Sequence, residues 1–226
     1  MPIYRLVEEL VFPPPEHADP SGLLAVGGDF SADRLLEAYR VGIFPWYSDD
    51  QPILWWSPDP RLVLELSDFK FSRSLRKTLK RGIFTVTFDR AFEEVIRACA
   101  SVRREGQAGT WITSEMQEAY IKLHGVGFAH SVECWFKGEL AGGLYGVSLG
   151  KAFFGESMFH RKTDASKVAL ATLVEKLKSW EFDFIDAQMT TEHMISLGAK
   201  EMPRRVFLKR LQAALRHPTR RWKWRP

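Results

Sequence analysis

The stretch from Ser179 to Arg205 constrains the fold most, because a strong strand signal in it ends in an abrupt change of chemistry. The β-prone run from Phe182 to Ile185 predicts a strand that is buried on at least one face. Asp186 and Gln188 come at its end, and in a strand of period two both side chains point to the same side, where a carboxylate and an amide can act on one bound group. Open α/β sheets bind ligands at such strand ends. The alternative is that Asp186 caps the next turn while Gln188 is solvated.

Length and composition predict a globular protein without a membrane span. The chain has 226 residues, enough for one large domain or two smaller ones. Hydrophobic residues make up 45% and charged residues 27%, values that exclude wholesale disorder. No apolar run approaches the roughly 18 to 20 residues of a membrane span, and the amino terminus lacks the layout of a signal peptide. We therefore expect a cytoplasmic protein.

Cysteine and histidine usage argues against a disulfide framework and against a metal site. Cys99 and Cys134 lie in apolar surroundings without CxxC spacing, so we expect two core thiols. The six histidines form no paired-ligand pattern. We predict no metal and no other cofactor.

The positive charge is confined to two segments. The net charge is +4, but 15 of the 32 basic residues lie between positions 70 and 81 or after Pro203, where no acidic residue occurs. The rest of the chain contains the other 17 basic residues and all 28 acidic ones, so its net charge is negative. Such local patches suit a polyanionic partner. The alternative is a solvated face and a solvated tail.

The first basic segment, Lys70 to Arg81, predicts a helix with an apolar face and a basic face. A basic stripe at helical spacing can follow a phosphate backbone, which makes binding sensitive to salt. The basic residues that we assign to this surface are Arg73, Arg76, Lys77, Lys80 and Arg81. For the terminal RRWKWRP of the second segment, we expect either nonspecific contacts with the same partner or disorder.

Tryptophans and prolines cluster in the stretch GIFPWYSDDQPILWWSPDPR. Trp46, Trp55 and Trp56 form either the core of a small module or a stacking surface for bases. The SPDP segment is the boundary that we predict between a small amino-terminal domain, residues 1–61, and a larger domain, residues 62–226.

The centre of the chain predicts successive antiparallel strands at residues 130–136, 140–147 and 152–159. A helix that Asp164 or Ser166 caps, with Leu170 and Leu173 facing a core, then leads into the strand described first. Nearer the amino terminus, Ser31 is the expected cap of a helix whose apolar stripe includes Tyr39, and a strand-like run begins at Arg61. We therefore predict a mixed α/β (α+β) fold with a mixed, mostly antiparallel sheet.

The segment KLHGVG, Lys122 to Gly127, loosely imitates the Q/R-x-x-G-x-G/A loop that cradles a coenzyme A pyrophosphate. Its glycines end a helix instead of opening one, so we interpret them as cap and turn residues. The hypothesis that the protein is an acyl-CoA-dependent enzyme therefore lacks its main sequence evidence.

Several longer motifs resemble one known family, and they occur in the same order. They are GIFPWYS, ILWWSPDPR, GTWIT, GGLYGV, FFGESMF, the ASK-x-AL helix start, IDAQ, and SLGA followed by PRR. Together they closely resemble the leucyl/phenylalanyl-tRNA-protein transferases over nearly the whole chain. The resemblance implies a GNAT-like (acetyltransferase-like) carboxy-terminal domain that uses no coenzyme A.

The same resemblance implies an activity. Enzymes of this family move leucine or phenylalanine, and less readily methionine, from aminoacyl-tRNA to the amino-terminal arginine or lysine of a protein. The modified terminus then marks the protein for N-end-rule degradation. The expected partners are therefore aminoacyl-tRNA and such acceptor proteins, and we expect a monomer that does not bind a membrane.

The resemblance also assigns site residues. Those matching catalytic positions or an acidic position at the reaction centre are Asp186, Gln188 and Glu156. Those matching aromatic positions near the terminal adenosine of the tRNA are Trp46, Trp111 and Tyr120. Those matching the pocket for the transferred side chain are Leu144, Phe153, Met158 and Ile185. The basic helix face is then the expected surface for tRNA.

The transfer reaction makes only a small demand on acid–base catalysis by these residues. Aminoacyl-tRNA is an ester, so amide formation from it is downhill and needs neither ATP nor a metal. An α-amino group has a pKa of about 7.7 to 8.0, so on the order of a tenth is neutral at pH 7. We expect Asp186 to fix Gln188 and the attacking amine, and to serve as a base only if burial raises its pKa. Gln188 then orients the amine through its carbonyl oxygen.

Two other functions are compatible with parts of the sequence. A noncatalytic tRNA-binding module explains the charge and the tryptophans but not the polar pair of the strand. A CoA-dependent N-acetyltransferase fits the fold class but lacks the pyrophosphate loop, and a coenzyme A titration tests it.

Overall fold

The computed structural model describes residues 3–48, 50–102, 111–222 and 224. Within these ranges the chain forms a four-stranded sheet, a seven-stranded sheet and the helices that pack on them. None of the helices in the described ranges is both long and apolar enough to cross a membrane.

The four-stranded sheet lies near the amino terminus and has the strand order β1-β2-β4-β3. Its strands are β1 (Tyr4–Leu6), β2 (Leu23–Gly27), β3 (Phe44–Pro45) and β4 (Leu54–Trp56). Helix α1 (Ala32–Arg40) shares its core and begins as predicted, because Ser31 Oγ accepts a hydrogen bond from the backbone N–H of Arg34. Trp55 is fully buried and Trp46 is partly exposed, so the tryptophans supply both core and surface.

The seven-stranded sheet has the order β11-β5-β10-β9-β8-β7-β6. Its strands are β5 (Arg61–Glu65), β6 (Thr85–Phe88), β7 (Ala129–Phe136), β8 (Glu139–Leu149), β9 (Ala152–His160), β10 (Phe184–Gln188) and β11 (Lys200–Met202). The three antiparallel strands predicted at the centre of the chain are confirmed as β7, β8 and β9.

Strands β9 and β10 are the parallel pair in an otherwise antiparallel sheet. Residues 184–186 pair with residues 152–154, but β9 continues to His160 without further pairing to β10. The two strands therefore diverge beyond Asp186, and this divergence opens the sheet for a cavity.

Helices cover both faces of the large sheet. The remaining helices are α2 (Arg73–Arg81), α3 (Phe92–Ser101), α4 (Ser114–Gly125), α5 (Ala165–Ser179), α6 (Glu192–Ser196) and α7 (Arg204–Ala214). One apolar cluster joins α3, α4, α7 and the small sheet to one face, and a second cluster joins α2 and α5 to the other.

Two predicted helix starts differ from the structure. Helix α2 begins at Arg73 and not at Lys70, because Ser72 Oγ caps it by accepting from the backbone N–H of Leu75 at 3.1 Å. Asp164 occupies the N-cap position of α5, but its side chain makes no capping bond, and neither does that of Ser166. The first turn of α5 thus starts without a side-chain cap.

The glycines of KLHGVG end a helix, as predicted. Helix α4 stops at Gly125, and Gly127 adopts a left-handed φ of 84°. A Cβ atom at Gly127 would lie 2.6 Å from the backbone nitrogen of Trp222, so the turn also makes room for the carboxy-terminal tail.

The described part of that tail is folded, which contradicts the expectation of disorder. Trp224 is 3% exposed, and its ring stacks on His130 with the centroids 4.0 Å apart. Its backbone N–H donates to Asp89 Oδ2 at 2.6 Å. The tail therefore closes one face of the large sheet.

The fold class predicted from the sequence is confirmed. The protein is a mixed α/β chain with a small amino-terminal sheet and a larger, mostly antiparallel sheet. Strand β5, which starts at Arg61, carries the chain from one sheet into the other.

Candidate active site

A cavity of about 780 Å³ lies where β9 and β10 diverge. Its walls come from β9, β10, the first half of α5 and the aromatic loop of the small domain. Glu156 and Gln188 lie in its lining, one from each of the two strands. The open sheet thus presents two polar side chains to one enclosed space.

Glu156 is the centre of a hydrogen-bond network in that space. Its Oε1 accepts from the Tyr39 hydroxyl at 2.8 Å and from Gln188 Nε2 at 2.8 Å. Its Oε2 accepts from the Tyr120 hydroxyl at 2.9 Å. The two tyrosine hydroxyls also contact each other. Helices α1 and α4 therefore fix the carboxylate from one side, and β10 fixes it from the other.

The environment changes the acidity of this network. Burial raises the pKa of Glu156 to about 7, and the hydrogen bonds from Tyr39 and Tyr120 act in the opposite direction. Burial and the charge of Glu156 also raise the pKa of both tyrosines well above their ordinary value. The tyrosines consequently stay protonated and act as donors, while Glu156 changes its charge near neutral pH.

Asp186 does not line the cavity, so its side chain and that of Gln188 do not point to the same side, although the strand period predicted that they do; its part in the reaction stays a prediction. Its side chain is fully buried and pairs with the fully buried Arg61, through Nε to Oδ1 at 2.8 Å and Nη2 to Oδ2 at 2.6 Å. Arg61 Nη1 also donates to the carbonyl of Gly42 at 3.2 Å. Full burial beside Arg61 keeps this carboxylate away from a group bound in the cavity.

The strand period breaks between the two residues. The register shifts between Asp186 and Gln188, and Gln188 has a left-handed φ of 54°. Asp186 Oδ1 accepts the backbone N–H of Gln188 at 3.0 Å and so holds this bend. Gln188 Nε2 uses one of its two N–H groups for Glu156, and its carbonyl oxygen, which has no hydrogen-bond partner among the described residues, is the acceptor available to a ligand.

All four apolar residues predicted for the side-chain pocket line the cavity. They are Leu144, Phe153, Met158 and Ile185. Sequence reasoning missed Leu170 and Leu173, which line it from α5 and which the periodicity identified only as core positions.

Two of the three predicted aromatic residues also line the cavity. Trp46 and Trp111 are partly exposed there. Tyr120 is not in the lining and is fully buried, so its assignment to the adenosine site stays a prediction. It reaches the site only through Glu156. Gly109 and Thr110 of the GTWIT motif lie outside the described residues.

The predicted basic surface is present on α2. Its five predicted residues line one shallow, open groove: Arg73, Arg76, Lys77, Lys80 and Arg81. The same helix contacts the start of α5, where Thr78 Oγ1 donates to Asp164 Oδ2 at 2.9 Å. The basic groove and one end of the cavity are therefore neighbours.

Two residues of the site network were not predicted as functional. Tyr39 was assigned to the apolar stripe of its helix, and Arg61 was assigned to a strand. Arg61 ends the ILWWSPDPR motif, and an arginine opening an apolar strand was the available signal. Both cysteines are buried, as predicted, and the two form no disulfide. Among the described residues, no group of three or more histidine, cysteine or acidic side chains is arranged to hold a metal ion.

Comparisons with known proteins give consistent matches. The family model described as leucyl/phenylalanyl-tRNA protein transferase matches residues 63–212, and that of its N-terminal domain matches residues 28–59. A leucyl/phenylalanyl-tRNA–protein transferase of Syntrophotalea carbinolica is 61% identical over 219 residues, covering 97% of this chain and 95% of the relative. That of Myxococcus xanthus is 59% identical over 226 residues, covering 99% and 97%.

Solved structures are more distant. A functionally unknown conserved protein from Staphylococcus epidermidis is 7% identical with a TM-score of 0.44, covering 80% of this chain and 68% of its own. A GCN5-related N-acetyltransferase from Kribbella flavida is 12% identical with a TM-score of 0.35, covering 75% and 59%.

Proposed function

Because this chain belongs to the leucyl/phenylalanyl-tRNA protein transferase family, we propose that it moves leucine or phenylalanine from aminoacyl-tRNA to the amino-terminal arginine or lysine of proteins. It is a tRNA-dependent aminoacyltransferase. Methionine is a poorer donor side chain in this proposal. The modified amino terminus then directs the acceptor protein to degradation.

One observation carries the proposal: a single cavity combines an apolar recess, two partly exposed tryptophans and a polar centre. An aminoacyl-adenosine has these three parts, namely a side chain, a purine and an ester. The three regions of the cavity supply contacts of the corresponding chemistry, which supports the end of an aminoacyl-tRNA as the ligand.

The recess between Ile185, Leu144 and the first half of α5 receives the side chain of the donor. A pocket that measures size alone discriminates by about 1 to 3 kcal/mol per methylene. Leucine, phenylalanine and some methionine are therefore accepted together. Met158, which is partly exposed at this recess, has the flexibility to adapt to each of them.

Trp46 and Trp111 bind the terminal adenosine by stacking, which is worth about 1 to 3 kcal/mol per base. The body of the tRNA lies on the basic groove of α2, whose guanidinium and ammonium groups neutralise phosphates. Positioning of both reactants in one rigid site then supplies much of the rate.

Gln188 orients the attacking amine in this mechanism. Its carbonyl oxygen accepts a hydrogen bond from the neutral α-amino group, because its amide nitrogen is already bonded to Glu156. The amine nitrogen forms the new bond to the ester carbon, the ester bond to the ribose breaks, and the amine proton ends on the ribose hydroxyl. Asp186 serves as a positioning residue, since it holds the backbone of Gln188 and touches no substrate.

Glu156 has two tasks in the proposal. It fixes the orientation of the Gln188 amide, and its negative charge attracts the basic first side chain of the acceptor. Asp164 also lines the cavity, but its carboxylate already contacts Thr78 and lies 3.9 Å from Lys167 Nζ. Glu156 is bonded to neutral groups, one of them the Gln188 amide that orients the amine, whereas Asp164 already has a cation beside it, so we assign the acceptor side chain to Glu156.

A transfer assay tests the function. We would mix the protein with tRNA carrying radiolabelled leucine and a peptide that begins with arginine, and use the same peptide with an acetylated amino terminus as the control. Label on the free-amine peptide alone supports the proposal. Salt-dependent tRNA binding without any label on the peptide would contradict it and favour a noncatalytic binding module.

A further inference from the structure

The start of α5 forms an end of the cavity that the proposed mechanism does not use. Three basic side chains line the cavity in this region: His160 at the end of β9, Lys167 in the first turn of α5, and His193 in α6. The same turn contains the ASK part of the ASK-x-AL motif. We call this region the α5 cluster, comprising His160, Ser166, Lys167 and His193.

The first turn of α5 has free backbone donors. Asp164 at the N-cap has a left-handed φ of 69° and makes no capping bond, because its carboxylate accepts from Thr78 instead. Among the described residues, no acceptor is bonded to the backbone N–H groups of Ser166 and Lys167. Helix α5 has 15 residues, so its amino terminus carries the partial positive charge of a full macrodipole.

Ser166 gives an independent indication of a ligand. It is 4% exposed and lines the cavity, and its hydroxyl has no hydrogen-bond partner in the described part of the chain. Its oxygen is not among the fully enclosed side-chain atoms that lack a partner in the described residues, so it opens onto the cavity. A hydroxyl left without a protein partner beside free backbone donors fits an acceptor that arrives with a ligand.

The charges of the α5 cluster point to the same kind of ligand. Partial burial, the charge of Lys167 and that of His160 lower the pKa of His193, so positive charge in the cluster opposes the protonation of His193. Lys167 Nζ lies 3.9 Å from Asp164 Oδ1, which offsets only part of this repulsion. An anion bound among His160, Lys167 and His193 would offset the remaining repulsion between their positive charges.

The position of the α5 cluster identifies the anion. Thr78 of α2 donates to Asp164 at the start of α5, so the helix that carries the basic groove packs against the end of the cavity where the cluster lies. An RNA strand bound along the groove with its 3′ end in the cavity would bring a phosphodiester to this end of the cavity.

We propose that the α5 cluster binds the phosphodiester group next to the terminal adenosine of the aminoacyl-tRNA. Backbone N–H groups, the Ser166 hydroxyl and the Lys167 ammonium donate to its oxygens, an arrangement suited to phosphate at a helix amino terminus. The inference rests on the proposed function and adds to it a defined contact for the 3′ end of the donor.

The test compares two stable analogues, 3′-leucylamido-adenosine with and without a 5′-phosphate. Affinities of wild type, Ser166→Ala and Lys167→Gln are measured by calorimetry. The matched control is Lys178→Gln, which removes the same charge at the other end of α5, where Lys178 pairs with Glu175. Thermal unfolding confirms that each variant is folded.

The 5′-phosphate should strengthen binding to wild type and to Lys178→Gln by roughly tenfold or more, as a charge-assisted hydrogen bond does. The gain should vanish in Lys167→Gln and shrink in Ser166→Ala, while the phosphate-free analogue binds all four proteins equally. Equal affinities of wild type for both analogues would overturn the site alone. A gain from the 5′-phosphate in Lys167→Gln as large as that in wild type would overturn it as well. Failure of wild type to bind either analogue would overturn the proposed function itself.

Discussion

Arg61 and Asp186 form a two-pronged ion pair whose side chains are both fully buried, although 125 positions separate them in the chain. The guanidinium also lies over the rings of Phe44 and Phe207, 4.7 and 4.6 Å from their centroids. One arginine therefore ties the small domain, strand β10 and helix α7 together directly beneath Gln188.

The ion pair predicts a non-additive pattern of stability. Arg61→Met should lower the free energy of unfolding by about 3 to 5 kcal/mol, because it leaves the Asp186 carboxylate buried without a partner. Adding Asp186→Leu should restore most of that loss, since the double variant buries no charge. Urea unfolding measures the free energy of unfolding of wild type, Arg61→Met and the double variant.

Activity should not return with that stability. The double variant lacks the carboxylate that accepts the backbone N–H of Gln188, so its transfer rate should stay well below that of wild type. Arg97→Met is the control, because it breaks an exposed pair with Glu93 and should cost at most about 1 kcal/mol. A double variant as unstable as Arg61→Met would show that the ion pair is not what holds this region.

The pH dependence of transfer should report the charge of Glu156. Burial raises the pKa of Glu156 to about 7, so it accepts a hydrogen bond from Gln188 Nε2 as a carboxylate above that pH and loses its charge below it. Activity should therefore fall as the pH drops through about 7. The groups around it are Tyr39, Tyr120, Asp186 and Arg61.

The acceptor amine titrates in the same range, so the informative quantity is a ratio. Single-turnover rates of wild type divided by those of Glu156→Gln, from about pH 5.5 to about pH 8.5, cancel the amine. We expect this ratio to rise with pH and to level off above about 7. A ratio that is flat over the whole range would mean that the Glu156 charge has no part in transfer.

The basic groove predicts a salt effect on donor binding. Replacing Arg76 and Lys77 together by glutamine should weaken tRNA binding and reduce the slope of log affinity against log salt by about 0.7 to 0.9 for each phosphate that is no longer neutralised. Transfer at saturating donor should stay near the wild-type rate. Arg205→Gln with Lys209→Gln is the control, because it removes the same charge from exposed positions of α7. An equal change in both double variants would indicate net charge instead of this groove.

The recess predicts a change of donor preference. Met158→Ala enlarges a cavity wall, so the leucine side chain should fill the recess less well than that of phenylalanine, and the ratio of kcat/KM for the two donors should shift by roughly tenfold towards phenylalanine. Met202→Ala, on β11 and outside the lining, should leave the ratio unchanged. An unchanged ratio in Met158→Ala would place the donor side chain elsewhere.

The tail predicts a difference between two tryptophans. Trp224→Ala should cost about 3 to 5 kcal/mol of stability, because it empties a packed site beside His130 and Trp180. Trp222→Ala removes a side chain that is 65% exposed and should change stability by no more than about 0.5 kcal/mol. Urea unfolding of the two variants should thus separate a structural tail from a solvated one, and equal effects would contradict the buried position of Trp224.

Local patterns explain what the sequence alone predicted. Helix α1 follows from the Ser31 cap and an apolar stripe, and strands β7, β8 and β9 follow from runs bounded by turn residues. The cavity lining follows from the resemblance, since its motifs carry Glu156, Gln188 and the apolar residues in order. These signals lie within short stretches of the chain.

The features that the sequence did not predict depend on contacts between residues far apart in the chain. The partner of Asp186 is Arg61, and the partners of Glu156 come from α1 and α4, so no local window contains either set. The bulge before Gln188 turns its side chain away from that of Asp186. A regular alternation of two along the strand does not predict such a bulge. The tail is folded because Trp224 packs against His130 and Trp180, which are distant from it in the sequence.

The most direct measurement is the single-turnover rate of leucine transfer to an arginine peptide by Gln188→Ala, with its donor affinity measured in parallel. The account predicts a rate about a hundredfold or more below wild type at unchanged donor affinity, because the group that orients the amine is gone. A folded Gln188→Ala protein that transfers within about twofold of the wild-type rate would contradict the central role of the Gln188 amide.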